Sequence, residues 1–478
     1  MRNLTIVVLA TIVLYYELYA ASGVSTLLLA NLHMSFLYLV TALAIGNFVG
    51  AFGSLFAGLT DRFGRANLVV YGLLVVGLLT LFGIPNAHSA LAWAVFYGVV
   101  GFVEGIILVA TPALIRDFSP QVGRATAMGF WTMGPVVGSL VVSLVASQTL
   151  PVYGTWQSQY VICGIVGMVI FFLAFVGLRE LSPRLRDQLM VSQRDRALIE
   201  ARAKGIDIEA SLRHPWRQVL HFDVIASAFG VSVMLLIYYT AVAFFTIYAV
   251  TIFGFSLAQA NALGNWNWGA NAVALIVAGL LSDRLRVRKP FMLAGGIGGA
   301  IMVVIYLLQA TGKPSFATLA VIVSLLSIML GFAYATWMAS FTETVEARNP
   351  ALTATGLAVW GWIIRIVITV SFLIIPLVVN TVTTLVDAPA YLSAYEKAQA
   401  SGAQPSQDLL AHMAAIKSAA ANAPGQWQNW YWICFGGIVV FILLIFVMKG
   451  RWSPRSARLD QERHDQAVAE QLAALSKS

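Results

Sequence analysis

Charge is what this sequence has least of. Asp, Glu, Lys and Arg together make up 10% of its 478 residues, where a soluble domain carries about 25%. Hydrophobic residues make up 59%, so a soluble fold is excluded. Cysteine is also scarce. The two present, Cys163 and Cys434, both lie inside apolar runs. They form no disulfide framework and no metal site, and they read as small hydrophobes. Alternation of apolar and polar residues is missing too, which excludes a transmembrane β-barrel. No histidine stands among the polar residues at mid-run positions, so a polar catalytic cluster is not expected, and neither is an enzyme.

What the sequence has instead is length in its apolar runs. A helix needs about 20 apolar residues to cross a bilayer core of roughly 30 Å, and only a helix satisfies its backbone there without closing a barrel. Twelve such runs can be marked: Leu4–Ala30, Ser35–Leu59, Leu68–Pro85, Ala90–Ile115, Ala125–Ser147, Gln159–Leu178, Val224–Val250, Leu257–Leu281, Pro290–Leu308, Phe316–Met338, Leu352–Val379 and Trp430–Met448. The first is too long for a signal-peptide core and is expected to stay as a helix. The fold class is therefore an all-α membrane protein of twelve transmembrane helices.

The net charge of +8 could suggest nucleic acid, but its distribution reports topology. With the N-terminus in the cytoplasm, the inside loops receive Arg2, Arg62, Arg65, Arg116, Arg124, Arg348, the Arg-rich middle segment, the Arg284–Lys289 cluster and the tail from Lys449. The outside receives Lys313, Lys397 and Lys417. That bias is the positive-inside rule. It predicts a multi-pass protein of a cell membrane with both termini cytoplasmic. The partners expected are lipid and a small-molecule solute, with no nucleic acid, and the protein is expected to act as a monomer.

The chain repeats itself. The loop Thr60-Asp61-Arg62-Phe63-Gly64-Arg65 returns 222 residues later as Ser282-Asp283-Arg284-Leu285-Arg286. Tyr15-Tyr16 returns as Tyr238-Tyr239, Ala125-Thr-Ala-Met-Gly129 as Leu352-Thr-Ala-Thr-Gly356, and Trp156-Gln157 as Trp427-Gln428. The offset jumps by 44 between the last two pairs, which marks an insertion. The domains expected are an N-terminal half over 1–180, a linker with a basic amphipathic helix over 181–222, a C-terminal half over 223–450 and a cytoplasmic tail over 451–478. The insertion, at about 385–426, is expected outside the cell as two short helices, Ala390–Ala400 and Gln407–Ala421. Two six-helix halves in one orientation form a parallel repeat.

These residues carry a resemblance. Ala57-Gly58-Leu59-Thr60-Asp61-Arg62-Phe63-Gly64-Arg65 resembles the loop signature of the major facilitator superfamily, G-x-L-x-D-R-x-G-R-[RK], and Gly279-Leu280-Leu281-Ser282-Asp283-Arg284 resembles its second copy. Gly134-Pro135-Val136-Val137-Gly138-Ser139 is similar to the family's antiporter motif, with Ser139 replacing the last Gly. Tyr97 stands where many proton-coupled members have Arg. The resemblance implies the major facilitator fold, two pseudo-symmetric halves that rock about a central site, and no cofactor beyond an ion gradient, expected to be protons. It also implies that Asp61, Arg62, Arg65, Asp283 and Arg284 gate the cytoplasmic side. Glu343, Glu346, Arg348, Arg116 and Asp117 would join that charge cluster.

An ionisable group within hydrocarbon costs at least ~2.5–3.5 kcal/mol and is functional by default. Glu17, Glu104 and Arg365 each lie roughly 15–20 Å along their helices at 1.5 Å per residue, near the midplane. Arg365 offers a planar fork for a substrate carboxylate; the alternative is an Arg–Glu pair that neutralises itself. Glu17, and after it Glu104, are the proton carriers expected, because burial favours a carboxyl that can hold a proton near neutral pH. The plainer readings are a structural hydrogen bond for Glu17 and a packed helix contact at Gly101 and Gly105 for Glu104. Tyr15, Tyr16, Tyr238 and Tyr239 either line the cavity or pack. Asn261 and Asn265, on one face of the eighth run, meet either substrate or a neighbouring helix. The function expected is proton-coupled uptake of a small organic anion, and its rival is proton-coupled export of amphiphilic compounds.

Overall fold

The computed structural model describes residues 2–55, 64–118, 130–179, 220–348, 353–401 and 404–448, and a few positions from 452 to 466. Asp61, Arg62, nearly all of the 181–222 linker and most of the tail lie outside the described residues. So do the side chains of Arg116, Asp117, Glu346 and Arg348.

Among the described residues the regular structure is helical. The N-terminal half holds α1 (Arg2–Gly23), α2 (Ser25–Asn31), α3 (Phe36–Leu55), α4 (Arg65–Leu78), α5 (Ala90–Phe118), α6 (Gly134–Tyr153) and α7 (Trp156–Gly177). The C-terminal half holds α8 (Phe222–Met234), α9 (Leu236–Phe253), α10 (Leu257–Leu285), α11 (Lys289–Leu308), α12 (Phe316–Arg348), α13 (Thr353–Val378), α14 (Val382–Ala400) and α15 (Gln407–Ile445). The first run breaks at Val24 into α1 and the short α2, and the seventh breaks at Leu235 into α8 and α9. A π turn, Leu79–Gly83, closes α4.

Local chemistry sets the ends. Gly154 and Gly254 take φ of 67° and 69° and end α6 and α9, the left-handed conformation that glycine adopts without a Cβ penalty. Thr155 then caps α7 by accepting from the Ser158 N–H. Ser256 caps α10 in a reciprocal box with Gln259.

Among the described residues, eleven helical spans are long and apolar enough to cross a membrane. The twelfth is α10. Its 29 residues would reach about 44 Å at 1.5 Å each, but Asn261, Asn265, Asn267 and Asn271 lower its hydropathy. It can afford them because it is wedged between α12 and α6. Within the N-terminal half α1 packs on α5, α6 and α7, and α3 packs on α5. That last contact is backbone to backbone: a Cβ at Gly105 would strike the Gly50 carbonyl, and one at Gly50 would meet the Gly101 carbonyl at 2.9 Å. Among the described residues the halves meet through α2, which touches α9 and α14, and along α1 with α9, α3 with α13 and α6 with α10. The last two pairs exchange under the repeat.

The insertion differs from the expectation in two respects. Its first helix, α14, starts at Val382 rather than Ala390. Its second does not stop before the twelfth run but continues into it, making α15 a single helix of 39 residues. Ala-rich sequence offers nothing to end it, and Pro424 is carried inside the helix. Gln426 ties the hairpin base, its Oε1 accepting from the Asn380 and Thr381 N–H groups at 3.1 and 3.3 Å.

Candidate functional site

The interface between the halves holds a group of partly exposed tyrosines around one arginine. Tyr15 and Tyr19 lie one turn apart on α1, their ring centroids 5.5 Å apart. Tyr238 and Tyr239 on α9 meet edge to face at 5.1 Å, and Tyr238 meets Trp268 of α10 at 5.4 Å. Trp268, Val136 and Val242 form a small core that Tyr19, Tyr238 and Leu140 cover from both halves. On α12, Tyr334 lies within electrostatic range of Tyr239 and Tyr15. Arg365 of α13 has the same two tyrosines in range. The Arg365 side chain is half-buried, and among the described residues it makes no hydrogen bond or ion pair. An arginine so placed keeps its charge and its five donors.

Space for Tyr15 is cleared by the glycines of the antiporter-like motif. A Cβ at Gly138 would fall on the Tyr15 Cβ, and one at Gly134 would meet the Tyr15 ring at 3.3 Å. Pro135 sits at the start of α6, where a proline costs no hydrogen bond.

The carboxylates are elsewhere. Glu17 and Glu104 are 2% and 1% exposed, inside the N-terminal half. A Cβ at Gly167 of α7 would collide with Glu17 Oε1 and approach the Gly77 Cα of α4, so the Glu17 carboxyl points into the bundle of α1, α4 and α7. The two carboxyls lie in electrostatic range of each other and of the Cys163 thiol. Neither has a hydrogen-bond partner among the described residues. Tyr16 turns toward Cys163 and Glu17 rather than toward the interface. Tyr97 stacks on Trp93 at 5.1 Å, near Glu104. One side chain has both Arg365 and Glu104 in range, and that is Tyr15. The structure therefore gathers Arg365, Tyr15, Tyr238 and Tyr239, buries Glu17 and Tyr16 inside the N-terminal half, and leaves Glu104 in range of Tyr15 alone of that group. The sequence reading passed over Tyr19 and Tyr334. For Tyr19 the spacing of four from Tyr15 was the available signal.

Asn261 and Asn265 join the halves. The Asn261 amide donates to the Gly23 carbonyl at 2.9 Å and to Leu257 of its own helix. Asn265 donates to Ser147 Oγ at 3.2 Å. Thr246 donates to the Ser22 carbonyl at 2.5 Å and shares a hydrogen bond with Ser25 at 3.0 Å. The Phe36 N–H donates to Thr383 of α14 at 2.9 Å. These bonds lie toward the end that carries the insertion.

At the other end, the second signature loop is tied within its own half. Arg288 donates to Asp283 at 2.6 Å and to Glu343 of α12 at 2.9 Å. Burial opposes its charge, but Glu343 and Asp283 together hold the guanidinium above its ordinary range. Ser282 Oγ closes the turn on the Val287 carbonyl at 2.6 Å.

The family model described as Major Facilitator Superfamily matches residues 7–371. Among curated proteins, the chain is 28% identical over 127 residues to a cis,cis-muconate transport protein of Acinetobacter baylyi, covering 26% of this chain and 28% of that one. It is 27% identical over 285 residues to a putative metabolite transport protein of Haemophilus influenzae, covering 56% and 63%. Both matches therefore span less than two thirds of the relatives' lengths. Solved structures share the fold, and two of them serve as examples. One is a bacterial homologue of the human lysosomal transporter Spinster, inward-facing and unoccupied, with TM-score 0.68, 15% identity and 95% and 98% of the two chains covered. The other is a D-xylose–proton symporter, with TM-score 0.58, 15% identity and 79% and 96% covered.

Proposed function

Because the chain belongs to the major facilitator superfamily, and is a multi-pass membrane transporter rather than an enzyme, we propose that it takes up a small organic anion together with protons by alternating access. The observation that carries this reading is Arg365, a cation at the interface of the halves with no acidic partner among the described residues. A membrane-embedded charge is costly until it is paired, and a substrate carboxylate would complete its fork of donors. The muconate transport protein among the relatives, named for an organic anion, is consistent with this.

Glu17 and Glu104 are assigned the protons. Both carboxyls are buried and within electrostatic range of each other, and neither is spent on a hydrogen bond among the described residues. Tyr15, in range of Glu104 and of Arg365, links the pair to the anion site. The hydrogen bonds between the halves at the insertion end support a reading in which that end is shut and the central site opens toward the signature-loop end. With the N-terminus inside, that is the cytoplasm, and Asp61, Arg62, Arg65, Asp283 and Arg284 would latch the halves in the opposite state. We take it to act in a cell membrane as a monomer.

The rival is proton-driven export of an amphiphilic compound. Its support is Gly134 and Gly138, which seat α6 on α1 at the tyrosine that reaches both sites. Right-side-out vesicles separate the two. Acidifying the outside should drive carboxylate entry, and Arg365→Gln should abolish it. Entry that ignores the pH gradient removes the proton coupling, and entry that survives Arg365→Gln removes the anchor.

A further inference from the structure

We infer that the C-terminal half carries a binding pocket of its own, for a small uncharged solute that offers one hydrogen-bond donor and one acceptor, as a primary carboxamide does. This pocket goes beyond the organic-anion reading and does not depend on Arg365.

The pocket is a cavity inside the half, enclosed by α9, α10, α11, α12 and α15. Its polar lining is Asn267 and Asn271, one turn apart on α10 and so on one face, with Ser327 of α12. Both asparagines are 6% exposed. Ser327 grips each of them by one atom. Its carbonyl accepts from Asn271 Nδ2 at 2.9 Å, and its hydroxyl donates to Asn267 Oδ1 at 2.6 Å. A carbonyl can only accept, so the Asn271 amide has one orientation and its Oδ1 is left as an acceptor. Asn267 is left with its N–H donors. Neither of these two atoms makes a hydrogen bond among the described residues.

The lining decides the charge of the occupant. No carboxylate, amine or guanidinium borders the cavity, so an ion would stand there unpaired at membrane depth, which is costly. An uncharged group with a donor and an acceptor completes both amides. The cavity measures about 30 Å³. One water needs roughly 10–15 Å³ of such space, so the room is that of two or three water-sized groups, the compass of a molecule such as acetamide. Phe245, Tyr306 and Tyr431 supply apolar wall for its carbon end.

Packing alone does not call for these amides. At the repeat offset of 222 the counterparts of Asn267 and Asn271 are Ile45 and Val49 of α3. There the neighbouring helix is met through bare backbone at Gly50 and Gly105. The pocket also borders the seam between the halves. Tyr238 and Trp268 line it and meet edge to face at 5.4 Å. On their other side they pack with Val136 of α6. A movement of the halves that withdraws Val136 frees Tyr238 to turn and opens the cavity to the central site.

The test places one thiol on the cavity wall, with Ala241→Cys in a full-length background of Cys163→Ala and Cys434→Ala. Its modification by methyl methanethiosulfonate, a small uncharged reagent, is timed with acetamide, N,N-dimethylacetamide or acetate present. Acetamide is expected to slow the reaction, at concentrations at least about tenfold lower than the other two require, the scale of one unmet buried polar group. Asn271→Leu should remove the protection by acetamide, and Arg365→Gln should leave it intact. A thiol that acetamide does not protect means that the cavity holds water only, and the proposal falls. It falls equally if the thiol never reacts, or if acetate or dimethylacetamide protects as well as acetamide. Protection lost in Arg365→Gln would move the solute to the central site and overturn the separate pocket. The organic-anion reading is judged by vesicle uptake and stands or falls apart from each of these results. Should Asn271→Leu fail to fold, the ligand series on the Ala241→Cys protein decides alone.

Discussion

Thr246 offers a direct measure of how the halves are held. Its hydroxyl makes two bonds to the other half, to the Ser22 carbonyl and to Ser25, and it is 6% exposed. Thr246→Val keeps the shape and removes both. Ser25 retains a bond to the Ser22 carbonyl at 3.2 Å, so no hydroxyl is stranded. An interhelical hydrogen bond in a membrane is worth about 0.6 kcal/mol on average, so the closed insertion end should lose about 1.2 kcal/mol, roughly eightfold in the conformational equilibrium. Adding Asn261→Ala removes the bond to Gly23 and brings the loss to about 1.8 kcal/mol, roughly twentyfold. Spin labels at Asn31→Cys and Lys313→Cys, both exposed and on opposite halves, would report the separation by double electron–electron resonance, in a background with Cys163→Ala and Cys434→Ala. The long-distance population should grow from wild type to single to double variant. An unchanged distance distribution in the double variant would refute the view that these bonds close this end.

Three other outcomes are expected. Gly167→Ala, whose methyl would fall on Glu17 Oε1, should lower thermal stability by about 1–3 kcal/mol of overpacking. Adding Glu17→Ala should restore much of it, and a double variant no more stable than Gly167→Ala would mean that the carboxyl lies elsewhere. Tyr15→Phe should keep carboxylate binding and counterflow but lose accumulation against a proton gradient; retained accumulation would show that the hydroxyl does not couple the two sites. Arg288→Ala should speed hydrogen exchange in the Ser282–Lys289 turn while costing at most about 1 kcal/mol of stability, because Asp283 is 68% and Glu343 50% exposed. A collapse in stability would contradict the surface character of that network.

The architecture was legible because each half writes the same residues at nearly the same spacing, and because positively charged loops alternate with apolar runs. Which way a given side chain points was not. In lipid both faces of a helix are apolar, so the periodicity that marks the buried side of a soluble helix is absent. Tyr15, Tyr16 and Glu17 are consecutive and so fan out by about 100° each along an α-helix. Only the neighbours decide that Tyr15 takes the interface while Tyr16 and Glu17 take the inside of the bundle. The asparagines of α10 were ambiguous for the same reason. Their partners are mostly backbone carbonyls and hydroxyls, which any helix can supply, and the sequence does not say which helix is close. The insertion misled at two points, since nothing local separates a short surface helix from the first turns of a longer one.

The unbroken α15 has a practical outcome. At 39 residues it would measure about 58 Å, almost twice the thickness of the hydrocarbon layer, so some of its turns stand in water as a stiff mast. Tyr391 of α14 and His412 of α15 stack at 4.2 Å, bracing the mast far from the transport path. An antibody fragment raised against that stack would grip a rigid feature, giving a small, otherwise featureless transporter the alignment mass that electron-microscopic imaging needs while leaving its cycle free to run.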